Sequence, residues 1–193
     1  MSSWLAKHFL NLLGWQIVGQ LPESHRLVLI TVPHTSNWDF MYLHLVSKIL
    51  GVHIRWMGKE ELFRGPLGPI SRALGGIPVK RSRSTNMVAQ MIQAFQEHDE
   101  LILAVPPAAT RSKSDYWRSG FYHIAMGAQV PITMGFLDYQ RKRAGFGPSF
   151  VPTGDIKADM DKIRAFYADI QGKFPDHKSV IRLKQEEVQE ERE

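Results

Sequence analysis

Cysteine is absent from this chain of 193 residues. Its absence excludes disulfide frameworks, zinc–thiolate sites and a catalytic thiol. Long apolar runs are also absent, since none approaches the roughly 20 residues that a membrane-spanning helix requires, and no secretory signal is recognisable. We therefore expect a protein that works in a reducing, cytoplasmic setting.

Several widespread catalytic patterns are missing as well. The chain has no GxSxG nucleophile elbow, no P-loop, no GxGxxG and no HExxH. These absences argue against the corresponding serine hydrolases, nucleotide hydrolases and dinucleotide-binding enzymes. We expect neither a metal nor a bound cofactor.

The overall composition is that of one folded domain, with 44% hydrophobic and 22% charged residues. A net charge of +5 favours an anionic partner and leaves open a phosphate ligand, nucleic acid or anionic lipid. Aromatic residues do not interleave with the basic ones as a nucleic-acid stacking platform requires, so we expect no nucleic acid. Residues 184–193 hold five glutamates against two basic side chains and predict a frayed helix end or a disordered extension.

Short apolar runs rich in β-branched residues alternate with amphipathic segments along the chain. The runs predict strands at 27–32, 52–57, 75–79, 101–105, 130–136 and 146–152. The amphipathic segments predict helices at 4–18, 39–50, 84–97, 118–126 and 156–173, with two short helices around a kink in 60–74. This alternation predicts a single-domain α/β sandwich with a mixed, largely parallel sheet and flanking helices. We divide the chain into an N-terminal amphipathic helix (1–20), the main domain (21–183) and a charged tail (184–193).

The predicted N-terminal helix is amphipathic and has tryptophans at its two ends, Trp4 and Trp15. Leu5, Phe9 and Leu12 recur at helical spacing between them, whereas polar residues interrupt the rest of the surface. Two interpretations remain open. The helix packs its apolar face on the domain core, or it lies in a membrane interface with its tryptophans at headgroup depth.

His34 follows the first predicted strand of the main domain, and Asp39 stands five residues further on, where a helix should begin. On a continuous helix the two would lie on different faces, because five residues correspond to about 140°. They meet only across a tight turn, which Pro33 and the Ser–Asn pair favour. Asp39 would then accept a hydrogen bond from one nitrogen of the His34 imidazole, and the other nitrogen would take a proton from an alcohol. This chemistry suits acyl transfer from a thioester. The alternative is a capping aspartate beside a structural histidine.

Two further segments each contain an arginine followed by a serine: 75–82, with Arg81, and 107–112, with Arg111. Guanidinium groups from two loops can clamp a phosphate bidentately. Lys59 and other basic residues would add to the positive potential. The alternative is a solvated basic rim without a ligand.

Four motifs occur in the order seen in the lysophosphatidate (PlsC-type) glycerolipid acyltransferases. They are His-Thr-Ser-Asn-Trp-Asp at 34–39, Gly-Lys-Glu-Glu-Leu-Phe at 58–63, Gly-Ile-Pro-Val-Lys-Arg at 76–81 and Pro-x-x-Thr-Arg-Ser at 107–112. Segment 117–125 also resembles the stretch after the third motif in small bacterial members. The likeness extends from about residue 33 to 131 and implies that 21–183 is an acyltransferase domain.

The resemblance implies a glycerol-phosphate acyltransferase-like α/β fold, peripheral on the inner, cytoplasmic face of the cell membrane. It implies transfer of a fatty acyl group from acyl-CoA or acyl-carrier protein to a hydroxyl of a lysophospholipid-like acceptor, such as 1-acylglycerol 3-phosphate. The thioester is a co-substrate, and no cofactor is implied. By the family pattern His34 is the general base and Asp39 its partner, and we expect backbone N–H groups near their turn to stabilise the oxyanion. The implied substrate-binding residues are Arg81 and Arg111 for the phosphate, Thr110 beside them, and Lys59 and Phe63 at the border of the acyl or acceptor cleft.

The chain departs from the family at residues 108 and 109, where alanines replace the glutamate and glycine of the family's Pro-Glu-Gly-Thr-Arg motif. Ala108 cannot accept a hydrogen bond through its side chain, and Ala109 resists the positive φ that glycine permits. We expect either an acceptor other than lysophosphatidate or a reduced activity. The intact His34–Asp39 pair favours an active enzyme. The alternative is a catalytically impaired relative that binds lipid or acyl-CoA in a regulatory role.

Overall fold

The computed structural model describes residues 2–19, 22, 24–79 and 84–190, which form an α/β sandwich around one sheet. The strands of that sheet are β1 (Gln16–Val18), β2 (Arg26–Val32), β3 (Ile54–Lys59), β4 (Gly76–Val79), β5 (Leu101–Val105), β6 (Ile132–Asp138) and β7 (Arg143–Phe150). The α-helices are α1 (Ser3–Leu12), α2 (Trp38–Leu50), α3 (Gly68–Ala73), α4 (Ser84–Glu97), α5 (Gly120–Ala128), α6 (Ile156–Tyr167) and α7 (Lys184–Glu190). Short 3₁₀ helices cover Glu60–Phe63 and Pro175–His177.

Most of the sheet is parallel. The strands β6, β2, β5, β3 and β4 are neighbours in that order and all run in one direction. β7 pairs with β6 in the antiparallel sense and carries β1 on its outer side. The predicted mixed, largely parallel sheet is therefore confirmed. Because the parallel strands end at one edge, the loops that follow them gather there, and ligands of open α/β sheets bind at such an edge.

The two faces of β2 explain why helices cover both sides of the sheet. Val28, Ile30 and Val32 belong to the buried cluster formed with α4, α5 and α6. Leu27 and Leu29 belong to the opposite cluster, formed with α1 and α2. A strand buried on both faces has a continuous apolar sequence rather than an alternating one. β2 therefore lies at the centre of the molecule, and the turn that follows it begins there.

Three segments differ from the sequence-based expectation. Of the other predicted elements, α4 and β5 have the predicted ends and the rest are present with shifted ends. The first helix ends at Leu12, and residues 16–18 form β1, because they find a parallel partner in β7, far along the chain. α6 ends at Tyr167, well before the predicted end at residue 173. Residues 184–190, predicted as a frayed helix end or a disordered extension, form α7, in which Glu186 is buried with its Oε2 2.7 Å from Arg164 Nη1.

Helix α1 packs on the core with a narrow part of its surface. Ala6 and Leu10 are buried, and so is Trp15, which follows the helix and contacts the core rather than lipid. The exposed apolar face of α1 consists of Trp4 (68% exposed), Leu5, Phe9 and Leu12 (78% exposed). No helix in the described part of the chain has both the length and the hydropathy to cross a bilayer.

Candidate active site

The motif residues lie where the parallel strands end. His34 follows β2, Pro107 follows β5, and Lys59 is the last residue of β3. β2 and β5 are paired directly, from Arg26 opposite Leu101 onwards. The strand order therefore brings the His34 turn and the loop after β5 to the same edge of the sheet.

The turn between β2 and α2 sets His34 beside Asp39. Ser36 Oγ accepts the N–H of Trp38 at 3.2 Å, a side-chain hydrogen bond that stabilises the turn before the helix. Asp39 lies in the first turn of α2, and its Oδ2 is 3.3 Å from His34 Nδ1. Only 17% of the His34 side chain and 6% of the Asp39 side chain are exposed. The predicted meeting of the two side chains across a tight turn is confirmed.

Hydrogen-bond donors surround the Asp39 carboxylate. The backbone N–H groups of Thr35 and Ser36 donate to Oδ2, each at 2.9 Å, and the Tyr139 hydroxyl donates to Oδ1 at 2.7 Å. Burial opposes ionisation of this carboxyl, but hydrogen bonds from His34, Tyr139 and Ser36 and the charge of His34 hold its pKa below the usual range. Asp39 is thus a fixed anion that can orient His34 and stabilise its protonated form.

The other ring nitrogen of His34, Nε2, has no hydrogen-bond partner among the described residues. A cavity of about 10 Å³ borders the His34 side chain, close to the smallest volume that holds a water molecule. Its lining comes from the His34 turn, from the loop after β5 and from the C-terminal part of the chain. The lining residues include His34, Pro107, Ala108, Trp117, His177 and Ser179.

Residues 172–183 join the two loops of the site. Phe174 N–H donates to Thr35 Oγ1 at 3.3 Å, and Ser179 Oγ accepts the N–H of Ser114 at 3.1 Å. Gly172 lies so close to Thr35 that a Cβ there would be 2.6 Å from Oγ1. This segment could not be recognised from the sequence, because its glycine and serine acquire a role only once the sheet has brought distant residues together.

The loop after β5 keeps a left-handed residue at position 109. Ala109 has a φ of 55°, the conformation that glycine adopts without strain, so the alanine does not prevent it. Thr110 Oγ1 accepts the N–H of Ser112 at 3.2 Å, which stabilises the loop. Arg111 is exposed and forms no hydrogen bond or ion pair with another described residue.

The remaining motif residues are spread along the same edge. Lys59 is exposed, and neither it nor Arg111 makes a hydrogen bond to the imidazole–carboxylate pair within the described residues. Phe63 is buried, with the Arg72 guanidinium 5.7 Å from its ring centre, and it borders a cleft of about 310 Å³. Arg81 lies outside the described residues, so its role stays a prediction.

Two features of the turn were not foreseen from the sequence. Tyr139 comes 100 residues after Asp39 and belongs to no motif. It directly follows β6, which lies next to β2, so a known strand order would have indicated Tyr139 as a candidate site residue. The N–H groups of Thr35 and Ser36 are committed to Asp39. These two groups are thus occupied, and the stabilisation of an oxyanion by backbone N–H groups near the turn stays a prediction.

Comparisons with known proteins found one matching family model and a similar fold. A family model described as Acyltransferase matches residues 16–133, from β1 into β6. The fold resembles the crystal structure of the 1-acyl-sn-glycerophosphate (LPA) acyltransferase PlsC from Thermotoga maritima, with a TM-score of 0.55. The match covers 86% of this chain and 74% of that chain, and the two sequences are 14% identical. At this identity the likeness concerns the fold. No curated protein matches the sequence significantly.

Proposed function

Because the chain belongs to the Acyltransferase family, we propose that it moves a fatty acyl group from acyl-CoA or acyl-carrier protein to a hydroxyl of a lysophospholipid-like acceptor. The observation that carries this proposal is the enclosed His34–Asp39 pair at the edge where the parallel strands end. An imidazole held through one nitrogen by a carboxylate can accept a proton at the other. The protein needs no nucleophile of its own, since a thioester is already activated.

In the proposed reaction, Nε2 of His34 takes the proton of the acceptor hydroxyl as the oxygen attacks the thioester carbon. A C–O ester bond forms, the C–S bond breaks, and the proton passes from His34 to the leaving sulfur. Asp39 stays ionised and stabilises the imidazolium between these steps. General-base assistance of this kind contributes about 10²–10⁴ in rate, and the placement of the two substrates supplies much of the rest.

The charged rim supports an acceptor with a phosphate group. Arg111 is an exposed cation in the loop after β5, and Lys59 is an exposed cation at the end of the neighbouring parallel strand β3. Arg81 follows β4 in the sequence and would join them. A guanidinium binds a phosphate bidentately, whereas an ammonium acts as a point charge. We propose 1-acylglycerol 3-phosphate or a related lysophospholipid as the acceptor, and the missing carboxylate at Ala108 favours the related lysophospholipid.

The exposed apolar face of α1 supports a peripheral position on the inner face of the cell membrane. Its large side chains form no part of the core, although the helix itself is anchored by Ala6 and Leu10. A helix of this kind lies in the plane of the interface, with its apolar side chains among the lipids. The positive net charge adds attraction to anionic headgroups.

The test measures free thiol released from acyl-CoA by the purified protein, with and without lysophosphatidate in mixed vesicles. We expect release that depends on the acceptor, and we expect His34→Ala to lower it by at least about 100-fold. His98→Ala is the matched control, because His98 is exposed just beyond α4 and away from the site edge. Unchanged turnover in His34→Ala would remove His34 as the base.

The alanines at 108 and 109 favour one second candidate, a relative that binds lipid or acyl-CoA in a regulatory role without turnover. It predicts binding of acyl-CoA by the wild-type protein but no product with any lysophospholipid. A panel of acceptors, scored by mass spectrometry of the lipid product, separates the two candidates and identifies the acceptor if there is one.

A further inference from the structure

The two oxygens of the Asp39 carboxylate have different hydrogen-bond partners. Oδ2 faces His34 Nδ1 and also receives the two backbone N–H groups of the turn. Oδ1 receives one hydrogen bond within the described residues, from the Tyr139 hydroxyl at 2.7 Å. Without that donor Oδ1 would be a buried acceptor with no partner, which is costly, and the carboxylate could turn about its Cβ–Cγ bond.

The Tyr139 ring is held in place by two other aromatic side chains. Trp15 meets it edge-on with 5.0 Å between ring centres, and Tyr42 meets it edge-on at 5.7 Å. The backbone N–H of Tyr139 donates to the carbonyl of Gln171 at 2.9 Å. Both the ring and the main chain are therefore fixed, so the hydroxyl has little freedom to leave Asp39.

Tyr139 is protonated at neutral pH and can donate a hydrogen bond there. Burial, the hydrogen bond to Asp39 and the negative charge of Asp39, with a smaller effect of Tyr42, raise its pKa far above the usual range for a phenol. The titratable groups that face Asp39 are His34 from its own turn and Tyr139 from the end of β6, with Tyr42 of α2 behind the latter. A phenol that stays protonated cannot act as a base here, but it can orient a carboxylate.

We infer that Tyr139 is a positioning residue of the proposed acyl transfer, which holds Asp39 so that Oδ2 stays aligned with His34. This inference rests on the proposed function, since it assigns Tyr139 a place in that same site. The family match ends at residue 133, so Tyr139 lies outside the matched residues.

The test compares Tyr139→Phe with Tyr42→Phe. Each variant removes one oxygen from the same aromatic cluster, but the Tyr42 hydroxyl makes no hydrogen bond to Asp39 within the described residues. We expect Tyr139→Phe to lower kcat about tenfold with KM for both substrates unchanged, because the lost interaction acts in the transition state. Tyr42→Phe should keep the wild-type kcat. Circular dichroism at the assay temperature checks that both variants are folded.

A second measurement follows Asp39 itself, through the ¹³C resonance of its carboxyl during a pH titration. Loss of a donor to the ionised form raises the pKa of Asp39 in Tyr139→Phe, whereas Tyr42→Phe should leave it at the wild-type value. A hydroxyl that does not donate to Asp39 would leave this titration unchanged, and the effect on kcat then decides whether the bond serves the reaction. An active wild type with unchanged kcat or an unchanged Asp39 titration in Tyr139→Phe overturns the positioning role alone. A wild type without any acyl transfer overturns the proposed function and the positioning role with it.

Discussion

Ala109 adopts a backbone conformation that costs free energy for any residue with a side chain. Its φ is 55°, and a left-handed conformation costs an L-residue about 1–2 kcal/mol. Glycine removes that strain but adds freedom to the unfolded chain, so we expect Ala109→Gly to raise the free energy of unfolding by about 1 kcal/mol. Urea unfolding followed by circular dichroism measures the change.

Ala108→Gly is the matched control, because residue 108 is the neighbouring alanine and lacks a positive φ. There the substitution only increases the entropy of the unfolded chain, so stability should fall or stay level. Equal gains in the two variants would mean that strain at residue 109 is not the cause. Ala108 also borders the small cavity beside His34, so a longer side chain at 108 would have to move the loop or point outward.

How far a site residue can be predicted depends on how local its contact is. His34 and Asp39 belong to one turn, whose proline, serine and asparagine already indicate a reversal of the chain. Tyr139 and Phe174 reach the same turn from 100 and 139 residues away along the chain. Their contacts depend on the order of the strands, which the sequence pattern leaves undetermined.

At the scale of secondary structure, one fully buried carboxylate ties α6 to its surroundings. Asp159 accepts the backbone N–H of Thr153 at 2.7 Å, the Tyr122 hydroxyl of α5 at 2.9 Å and Lys162 Nζ at 3.0 Å. Burial opposes its ionisation, but the hydrogen bonds from Thr153, Lys162 and Tyr122 hold the pKa of Asp159 below the usual range. The ionised form is therefore favoured by folding.

We expect Asp159→Asn to lower the free energy of unfolding by about 2 kcal/mol at neutral pH, since an amide cannot accept all these hydrogen bonds. A depressed pKa stabilises the fold above the unfolded pKa of about 3.9, and this contribution is lost as the pH falls through the lower folded pKa. The difference between wild type and variant should therefore be full at neutral pH and shrink below about pH 4. Urea unfolding across that range measures it.

The control for this prediction is Asp161→Asn, on the same helix. Asp161 is largely exposed and pairs with Arg164, so its loss should change stability by less than about 1 kcal/mol. If the difference between wild type and Asp159→Asn persisted into acid, the ionised carboxylate would not be the source of the stability.

The ends of two elements show where local patterns are insufficient. Residues 16–18 follow an amphipathic helix and were predicted as part of it, yet they pair with β7, more than 120 residues away. The sequence pattern also predicts that the helix beginning at residue 156 continues beyond residue 167, to residue 173. Instead Lys178 Nζ donates to the carbonyls of Tyr167 and Ile170, at the end of α6 and just beyond it. Interactions formed only in the folded molecule decide both boundaries.

At the scale of the whole molecule, α1 is joined to the site edge through the residues that directly follow it. Lys142, in the turn between β6 and β7, donates through Nζ to the carbonyl of Leu13 at 3.0 Å. Trp15 then packs against Tyr139, whose hydroxyl reaches Asp39. The helix proposed to meet the membrane and the carboxylate of the proposed site therefore belong to one continuous set of contacts.

The membrane proposal predicts the behaviour of a variant of the exposed apolar face. Trp4→Ser with Leu12→Ser should leave folding intact, because both side chains are largely exposed. Burying a side chain of this size in an apolar phase is worth about 1.5–3 kcal/mol, so losing two should weaken binding to anionic vesicles by at least about tenfold. Vesicle flotation measures the bound fraction, and added salt should weaken the wild type further by screening its positive charge.

The matched control is Val151→Ser with Val180→Ser, which also removes two exposed apolar side chains but from segments outside α1. If α1 is the contact, this control floats with the vesicles as the wild type does. Equal losses in both variants would mean that binding follows overall hydropathy rather than this helix. If the α1 variant bound the vesicles as the wild type does, the other interpretation of α1 would hold. The helix would then serve only to pack Ala6 and Leu10 on the core.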